Sequence, residues 1–284
     1  MTTETATRRL LTNLRRDLER LRAARTATPA LRRLRADPSR ILSGAGYPPD
    51  SWQRTLLRST SDRVLMLITR QGGKSLTAAA IAVREALLRP PALVLLLSPT
   101  LRQSGELFRD KVKRLYNGLG WPVPAAQETQ LTMELANGSR IVSLPGEEET
   151  IRGYSGVRLL VVDEAARVPD ALYYSIRPML AVSRGRLICL STPYGRRGFF
   201  WRAWDQGGDS WQRVCVPWQQ CPRITADQCP RIGAGFLIRE EQALGPRWYR
   251  QEYFCSFEET IDQVFSQADI QAALADEVRP LFGG

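Results

Sequence analysis

The sequence contains no histidine. That absence excludes a Ser-His-Asp triad, a zinc hydrolase with histidine ligands and a histidine general base within the chain. No run of about 18 or more apolar residues is present, so we expect no transmembrane helix. The N-terminus has no apolar signal core, and we therefore do not expect secretion. Any hydrolysis by this chain must rest on carboxylates, a metal ion and basic side chains.

Lysine and cysteine are also scarce. Only three of the 40 basic residues are lysines, at Lys74, Lys111 and Lys113. The five cysteines are an odd number in a chain of 284 residues, which favours free thiols in a reducing cytoplasm. With 29 acidic residues the net charge is +11. Such an excess favours nucleic acid or another polyanion as a partner, although the arginine bias also fits a GC-rich genome.

Arginine is densest at the start of the chain. Residues 7–36 combine arginines with leucines at three- and four-residue steps, which predicts a basic amphipathic helix interrupted near Thr28-Pro29 and Asp37-Pro38. This helix either packs on the main domain or contacts DNA or a partner. A Gly-Pro-rich stretch at 44–49 is typical of a linker. We expect residues 1–45 to form a basic helical extension with its linker.

From Ser51 onward the pattern alternates between strand and helix. Four apolar runs are typical of strands buried on both faces. They span residues 64–69, 93–98, 159–162 and 186–190. Asn137-Gly138 predicts a hairpin between two further strands. The alternation predicts an α/β fold with a mostly parallel central sheet flanked by helices. We assign the core to residues 46–235 and a helical lid or linker to 236–284.

The stretch LITRQGGKSL, which starts at Leu67, nearly matches the phosphate-loop pattern G-x-x-x-x-G-K-[ST]. Ile68 stands where the pattern has its first glycine. The remaining pair, Gly72 and Gly73, still permits close approach of the backbone to a phosphate. A β-rich run precedes the pair and an alanine-rich helix follows, as a phosphate loop requires. The alternative is an ordinary glycine turn between a strand and a helix.

The residues of this loop fit the binding of ATP with Mg²⁺. We expect backbone N–H groups at the turn, in the loop that includes Arg70 and Gln71, to face the phosphates. Lys74 would reach the β- and γ-phosphate oxygens, and the Ser75 hydroxyl would ligate Mg²⁺. Arg70 is also a candidate for neutralising transition-state charge.

A second motif strengthens this interpretation. The apolar run that begins at Leu159 ends in two carboxylates, Asp163 and Glu164. In a nucleotide hydrolase the first holds the Mg²⁺ shell and the second polarises the attacking water. This pattern is common by chance. It follows Lys74 by 89 residues, with another strand and a hairpin between them, and together the two motifs indicate nucleotide hydrolysis.

Three weaker signals complete the candidate site. Gln53 precedes the first strand, where its amide would read the adenine edge, unless it is a surface residue at a helix start. Ser191 and Thr192 end a strand, and their hydroxyls would sense the γ-phosphate, unless they form a plain cap or turn. Arg140 and Arg152 would neutralise transition-state charge, in cis or from a neighbouring subunit. In so arginine-rich a chain, the alternative for each is an ordinary surface residue.

With these motifs assembled, the sequence resembles the ATPase portion of the large terminase subunit of tailed phages, over roughly residues 46–265. The resemblance rests on seven short motifs. They are Trp52-Gln53, the Thr-Arg-Gln-Gly-Gly-Lys-Ser loop, Asn137-Gly138-Ser139-Arg140, Ile151-Arg152-Gly153, Asp163-Glu164-Ala165-Ala166, Leu190-Ser191-Thr192-Pro193 and Gln251-Glu252-Tyr253. The family's loop lacks the first glycine and carries an Arg-Gln at this place. The resemblance implies a RecA/ASCE-like P-loop NTPase fold.

The same resemblance implies a Mg²⁺-dependent ATPase motor that threads double-stranded viral DNA through the portal of a procapsid. Its implied partners are duplex DNA, the portal protein and the small terminase subunit. It implies a ring on the portal, with a monomer in isolation as the alternative, in the cytoplasm of the infected host and away from membranes. By resemblance Gln53 binds adenine, Asp163 holds Mg²⁺, Glu164 is the catalytic base and Ser191-Thr192 is the coupling motif.

Large terminases normally add a C-terminal metal-dependent nuclease domain with clustered Asp and Glu. The acidic residues from 258 to 276 lie on helix-like sequence without that pattern, so we expect no DNA cutting from these 284 residues. Two other functions remain open. One is a helicase-like or DNA-repair ATPase, which shares the strand-end Asp-Glu. The other is a non-catalytic nucleic-acid-binding module with a relic nucleotide site.

Overall fold

The structure, a computed structural model, describes residues 28–146, 151, 153–225, 234–259 and 273. The strands are β1 (Arg63–Ile68), β2 (Leu93–Ser98), β3 (Ala125–Glu128), β4 (Thr132–Leu135), β5 (Arg140–Pro145), β6 (Leu159–Asp163), β7 (Arg186–Ser191) and β8 (Gln212–Val216). The helices are α1 (Pro29–Ala36), α2 (Arg40–Gly44), α3 (Ser51–Arg58), α4 (Lys74–Leu88), α5 (Leu101–Leu107), α6 (Arg114–Gly118), α7 (Asp170–Ile176), α8 (Gly198–Gln206), α9 (Pro222–Thr225) and α10 (Ala234–Phe254). A π-helix (Phe108–Lys113) joins α5 to α6. None of the helices in the described ranges is long and apolar enough to cross a membrane.

All eight strands form one sheet in the order β3-β4-β5-β2-β6-β7-β1-β8. The six strands from β5 to β8 in this order run parallel, and β3 and β4 are antiparallel. The predicted hairpin is confirmed, because Asn137 and Gly138 connect β4 to β5 and Gly138 has a positive φ of 82°. Since β7 pairs with both β1 and β6, the carboxyl ends of these three strands meet at one edge. The predicted α/β fold is confirmed.

Each central strand packs side chains into both faces of the sheet. In β1, Val64, Met66 and Ile68 point into one core, and Leu65 and Leu67 point into the other. Helices α1 to α6 contribute to the first core, and α7 and α8 contribute to the second. Helix α4 is rich in alanine, and these small side chains are fully buried, so the helix axis lies close to the sheet. Burial on both faces explains why the strands read as unbroken apolar runs.

The N-terminal segment packs on the main domain. Helix α1 begins at the predicted interruption, where Thr28 Oγ1 accepts a hydrogen bond from Leu31 N at 3.3 Å, and it ends before Asp37. The side chains of Leu31 and Leu34 are buried in the core that α4 shares. Residues 28–45 therefore pack on the main domain, which is one of the two arrangements that the sequence allowed for this segment. The earlier part of the predicted extension lies outside the described residues.

Two strands and a helical irregularity were not expected. Edge strand β3 is wholly exposed and β8 is only partly buried, so neither presents a continuous apolar run. The helical segment after β2 begins at Leu101 and contains the π-helix, whose wider turn does not follow the 3.6-residue period. Free thiols are observed at Cys189, Cys215 and Cys255, within the part of the chain that the structure describes.

Candidate active site

The loop between β1 and α4 explains why the first glycine of the phosphate-loop pattern is dispensable. Gln71 and Gly73 adopt positive φ angles of 62° and 94°, and Gly72 N donates a hydrogen bond to Thr69 O at 3.0 Å. A Cβ atom on Gly72 would lie 2.8 Å from Ile68 Cγ2. Ile68 is fully buried and fills the space beneath the loop, so the loop needs glycine at 72 to fold over it.

A cavity lies against this loop. Its volume is about 310 Å³, and it is lined by residues 69–76, Tyr47, Glu164 and three residues at the π-helix. Those three are Asp110, Lys111 and Arg114. Helix α4 begins here, so the N–H groups of its first turn have no partner within the helix, and its positive dipole end faces the cavity. An adjoining cavity of about 280 Å³ also reaches Asp163. Together they form a space suited to an anionic ligand.

The structure brings five of the predicted side chains together at the loop edge. Lys74 Nζ lies 2.6 Å from Glu164 Oε1. Ser75 Oγ donates to Asp163 Oδ2 at 3.4 Å, and Ser191 Oγ donates to Glu164 Oε2 at 3.5 Å. Glu164 has a φ of 52°, which turns the chain at the end of β6. This turn lets two successive carboxylates reach one site, which a continuing strand would not allow.

Burial sets the protonation of Asp163. It raises the pKa of this carboxyl from 3.8 to about 6, against the attraction of the Lys74 ammonium and with a further rise from the charge of Glu164. Asp163 is ionised in most molecules at neutral pH. The Ser75 hydroxyl and the Asp163 carboxylate are hard oxygen donors of the kind that Mg²⁺ prefers. Their contact at 3.4 Å therefore fits two ligands of one magnesium ion.

Gln53 occupies a position behind the loop and is fully buried. Its Oε1 accepts from Asp50 N at 2.9 Å, and its Nε2 donates to Thr77 Oγ1 at 2.8 Å. Thr77 Oγ1 in turn donates to Gly73 O at 3.0 Å. The side chain thus braces α3 against the start of α4. The alternative of a surface glutamine is wrong, and the adenine-binding role stays a prediction.

The predicted arginines are dispersed. Arg70 lines the cavity, and its Nη1 lies 3.6 Å from Glu252 Oε2. Arg140 is the first residue of β5 and pairs in register with Leu93, so it lies at the amino edge of the sheet. A strand length of roughly 17–20 Å separates that edge from the loop. Within its own chain Arg140 is therefore remote from Lys74 and pairs with Glu134 at 3.6 Å, so its role towards a neighbouring subunit stays a prediction beside the alternative of an ordinary surface residue. Arg152 lies outside the described residues.

Several site residues were not anticipated from the sequence. Arg167 Nε lies 3.9 Å from Glu164 Oε2, and its guanidinium lies 4.3 Å from the ring centroid of Tyr194. The sequence could have indicated Arg167, because it follows Glu164 by three residues. It could also have indicated Lys111, because this is one of only three lysines in the chain. The π-helix that brings Lys111 to the cavity has no signature in the apolar periodicity.

A glycine turn from strand β1 to helix α4, a Lys-Ser pair, and an acidic pair at the end of β6, which β7 separates from β1, define a P-loop NTPase of the ASCE class. The chain belongs to the family described as Terminase large subunit, T4likevirus-type, N-terminal, whose sequence model matches residues 65–272. The large terminase subunits of Thermus phage G20c and Thermus virus P23-45 are each 27% identical to it over 261 residues, covering 82% of this chain. The chain spans about half, 54%, of the length of these relatives.

Solved structures share the fold. The large terminase ATPase domain of Thermus phage P74-26 matches with a TM-score of 0.63 at 22% identity, over 76% of this chain and 97% of that domain. The HK97 bacteriophage large terminase matches with a TM-score of 0.59 at 16% identity, over 77% of this chain and 53% of that one. A large terminase from a thermophilic bacteriophage, in complex with ADP, matches with a TM-score of 0.57 at 12% identity, over 74% of this chain and 54% of that one.

Proposed function

We propose that this chain is the ATP-hydrolysing motor part of a terminase large subunit, which drives double-stranded viral DNA into a procapsid. The observation that carries the proposal is the cluster at the loop edge, where Lys74 Nζ lies 2.6 Å from Glu164 Oε1 beside Asp163. Membership of the terminase family supports the motor role. The large terminase of the thermophilic bacteriophage is described in complexes with ADP and with ATP-γ-S, which supports the choice of nucleotide.

The loop and the start of α4 bind the triphosphate in this proposal. Unpaired N–H groups of the loop and first helical turn donate to phosphate oxygens, and Gly72 and Gly73 keep the backbone free of side chains there. Lys74 donates to the β- and γ-phosphate oxygens. Ser75 and Asp163 hold Mg²⁺, which when bound neutralises charge on the phosphate oxygens.

Glu164 is the proposed catalytic base. A triphosphate in the cavity offers its own anionic oxygens to the Lys74 ammonium, which leaves the Glu164 carboxylate free to orient the attacking water. Ser191 donates to the same carboxylate and, with Thr192, couples the γ-phosphate to the end of β7. Arg70 neutralises charge on the transferring group.

The remaining assignments concern the DNA, the partner proteins, the oligomer and the domain boundaries. A net charge of +11 supports contact with duplex DNA, and family membership supports the portal protein and small subunit as partners in the cytoplasm of the host. We propose a ring on the portal, in which Arg140 acts on a neighbouring subunit, Arg152 acts in cis or on a neighbouring subunit, and Gln53 assists adenine binding. Residues 1–45, 46–235 and 236–284 are the proposed extension, ATPase core and lid.

ATP turnover by the purified chain, with Mg²⁺ and with or without duplex DNA, tests the proposal. Lys74→Ala and Glu164→Gln are expected to lower turnover by roughly 10²–10⁴-fold, the range for loss of a general base. Glu128→Gln is the matched control, because Glu128 pairs with Lys113 at the far end of the sheet and does not line the cavity. Unchanged turnover in Glu164→Gln contradicts the site. DNA binding without turnover favours a non-catalytic module, and strand unwinding favours a helicase.

A further inference from the structure

The motif Gln251-Glu252-Tyr253 has entered the site so far only through the contact of Glu252 with Arg70, and all three of its residues are buried. Their exposed fractions are 4%, 6% and 1%. They lie in the last turn of α10, a helix with a kink at Gly245, where φ is 74° and ψ is 163°. Tyr253 Oη donates to Glu240 Oε2 at 2.9 Å, and so ties the two halves of the kinked helix together. The motif therefore forms an ordered end of α10.

This end of α10 is hydrogen-bonded to the phosphate loop through its backbone. Glu252 O accepts from Arg70 N at 3.0 Å and from Thr69 Oγ1 at 3.5 Å. Arg70 N belongs to neither β1 nor α4, so its partner is supplied by a segment about 180 residues away in sequence. The bond anchors the first part of the loop on α10.

The side chain of Glu252 connects the loop with the catalytic carboxylate. Its Oε2 lies 3.6 Å from Arg70 Nη1, and its Oε1 lies 4.0 Å from Arg167 Nη2. Arg167 Nε in turn lies 3.9 Å from Glu164 Oε2. The Glu252 side chain is only 8% exposed, so its charge depends on these two guanidinium groups. Each guanidinium also lies beside the reaction site, one at the loop and one at the proposed base.

We propose that Glu252 is a positioning residue that holds Arg70 at the loop and keeps Arg167 from pairing fully with Glu164. The proposal rests on the proposed ATPase function and adds to it a dependence of turnover on the docking of α10. Loss of the Glu252 charge frees two long side chains that have many rotamers. Arg167 then turns towards the nearest remaining carboxylate, Glu164, and pairs with it, which holds that carboxylate away from the attacking water.

Glu252→Gln tests this role, because it removes the charge and leaves the backbone carbonyl that accepts from Arg70 N. We expect kcat for ATP to fall by about 10- to 100-fold, as for a misplaced catalytic group, with KM changed by less than about threefold. Glu258→Gln is the matched control. Glu258 follows the same helix and pairs with Arg250 at 3.0 and 2.9 Å, away from the cavity, so we expect unchanged kcat and KM.

A mutant cycle separates positioning from a structural role. In a chain that already carries Arg70→Gln and Arg167→Gln, Glu252→Gln is expected to lower kcat no further, because its two partners are gone. An equal further loss in that background would overturn the proposal. If Glu252→Gln alone does not fold, as judged by thermal unfolding, Glu252→Asp decides. It keeps the charge but withdraws it by one methylene group from Arg70 and Arg167, so kcat should still fall, and an unchanged kcat in a folded Glu252→Asp would overturn the role.

The same measurements distinguish the two proposals. A wild-type chain that hydrolyses ATP at the same kcat as Glu252→Gln overturns the positioning role and leaves the ATPase proposal in place. A wild-type chain without turnover overturns the ATPase proposal, and the positioning role falls with it.

Discussion

Two glutamates are surrounded by basic side chains at opposite edges of the sheet. The loop-edge cluster comprises Lys74, Asp163, Glu164 and Ser191. The amino-edge cluster comprises Glu85, Arg89, Arg158 and Arg186. Helix α4 joins the two clusters, since it begins at Lys74 and carries Glu85 in its last turns, about 17 Å further along the axis. Both edges thus place carboxylates and cations around one helix. The two clusters differ in how far the surrounding protein encloses the carboxylate, and this difference decides the role of each.

The amino-edge cluster is closed. Glu85 is fully buried, with Arg158 Nε at 3.3 Å and Arg186 Nη1 at 3.7 Å. Arg186 also donates from Nε to Ser61 O at 2.9 Å, and burial lowers its pKa below the ordinary arginine value. Because Arg158 immediately precedes β6 and Arg186 begins β7, the cluster fixes these strands to α4. The carboxylate of Glu85 and the guanidinium of Arg186 therefore have no access to a ligand. Within the cluster, only the outer side chains of Arg89 and Arg158, 39% and 33% exposed, reach solvent.

The loop-edge cluster is open. The Glu164 side chain is 24% exposed and lines both cavities beside the loop. A phosphate can therefore compete for Lys74, whereas nothing can reach Glu85. Enclosure, and not the presence of paired charges, distinguishes a structural ion cluster from a chemical one in this protein.

The largest expected effect is on stability at the amino edge. Glu85→Gln leaves the buried guanidinium of Arg186 without a counter-charge, so we expect the free energy of unfolding to fall by about 3–5 kcal/mol. Glu164→Gln, at the partly exposed pair, is expected to change it by about 1 kcal/mol or less. Denaturant unfolding of both variants measures the difference. If both variants lost the same free energy of unfolding, enclosure would not explain the difference between the two clusters.

A smaller change in the free energy of unfolding, and of opposite sign, is expected for Asp163→Asn. The folded-state pKa of Asp163 is about 6, above the ordinary 3.8, so its ionised form is disfavoured in the folded chain. A neutral amide at pH 8 should raise the free energy of unfolding by about 1–3 kcal/mol while turnover is lost. For Asp37→Asn we expect a loss of stability, because the Arg58 guanidinium lowers the pKa of Asp37. A lower free energy of unfolding in Asp163→Asn than in the wild type would contradict this prediction.

The smallest effect is the pH dependence of turnover. At Mg²⁺ concentrations well below saturation, protonation of Asp163 as pH falls through about 6 competes with Mg²⁺ binding, so turnover should fall by about tenfold per pH unit. The free energy of unfolding changes in the opposite direction and rises as pH falls. A raised carboxyl pKa means that the folded state binds the proton more tightly, so the ionisation penalty is relieved as pH falls from about 6 towards 3.8. Initial-rate profiles of the wild type are the measurement, and a rate independent of pH between about 5 and 7 would contradict it.

Much of the site was predictable because its residues lie at ends of strands. Lys74 and Ser75 begin the helix after the loop that follows β1, and Asp163 ends β6. In a parallel sheet such ends share one edge, so apolar runs followed by polar residues suffice to bring them together. Gln53 shows the limit of this reasoning, since its burial behind the loop depends on the contact between α3 and α4.

The sequence by itself determined the parallel fold, the phosphate loop and the acidic pair, because period and local order specify strands and the turns after them. Only the tertiary structure decided which arginines reach the site. The register of β5 with β2 takes Arg140 to the far edge, and the docking of α10 brings Glu252 to Arg70 and Arg167. Such contacts join segments far apart in the chain, and packing of whole elements, not local periodicity, sets them.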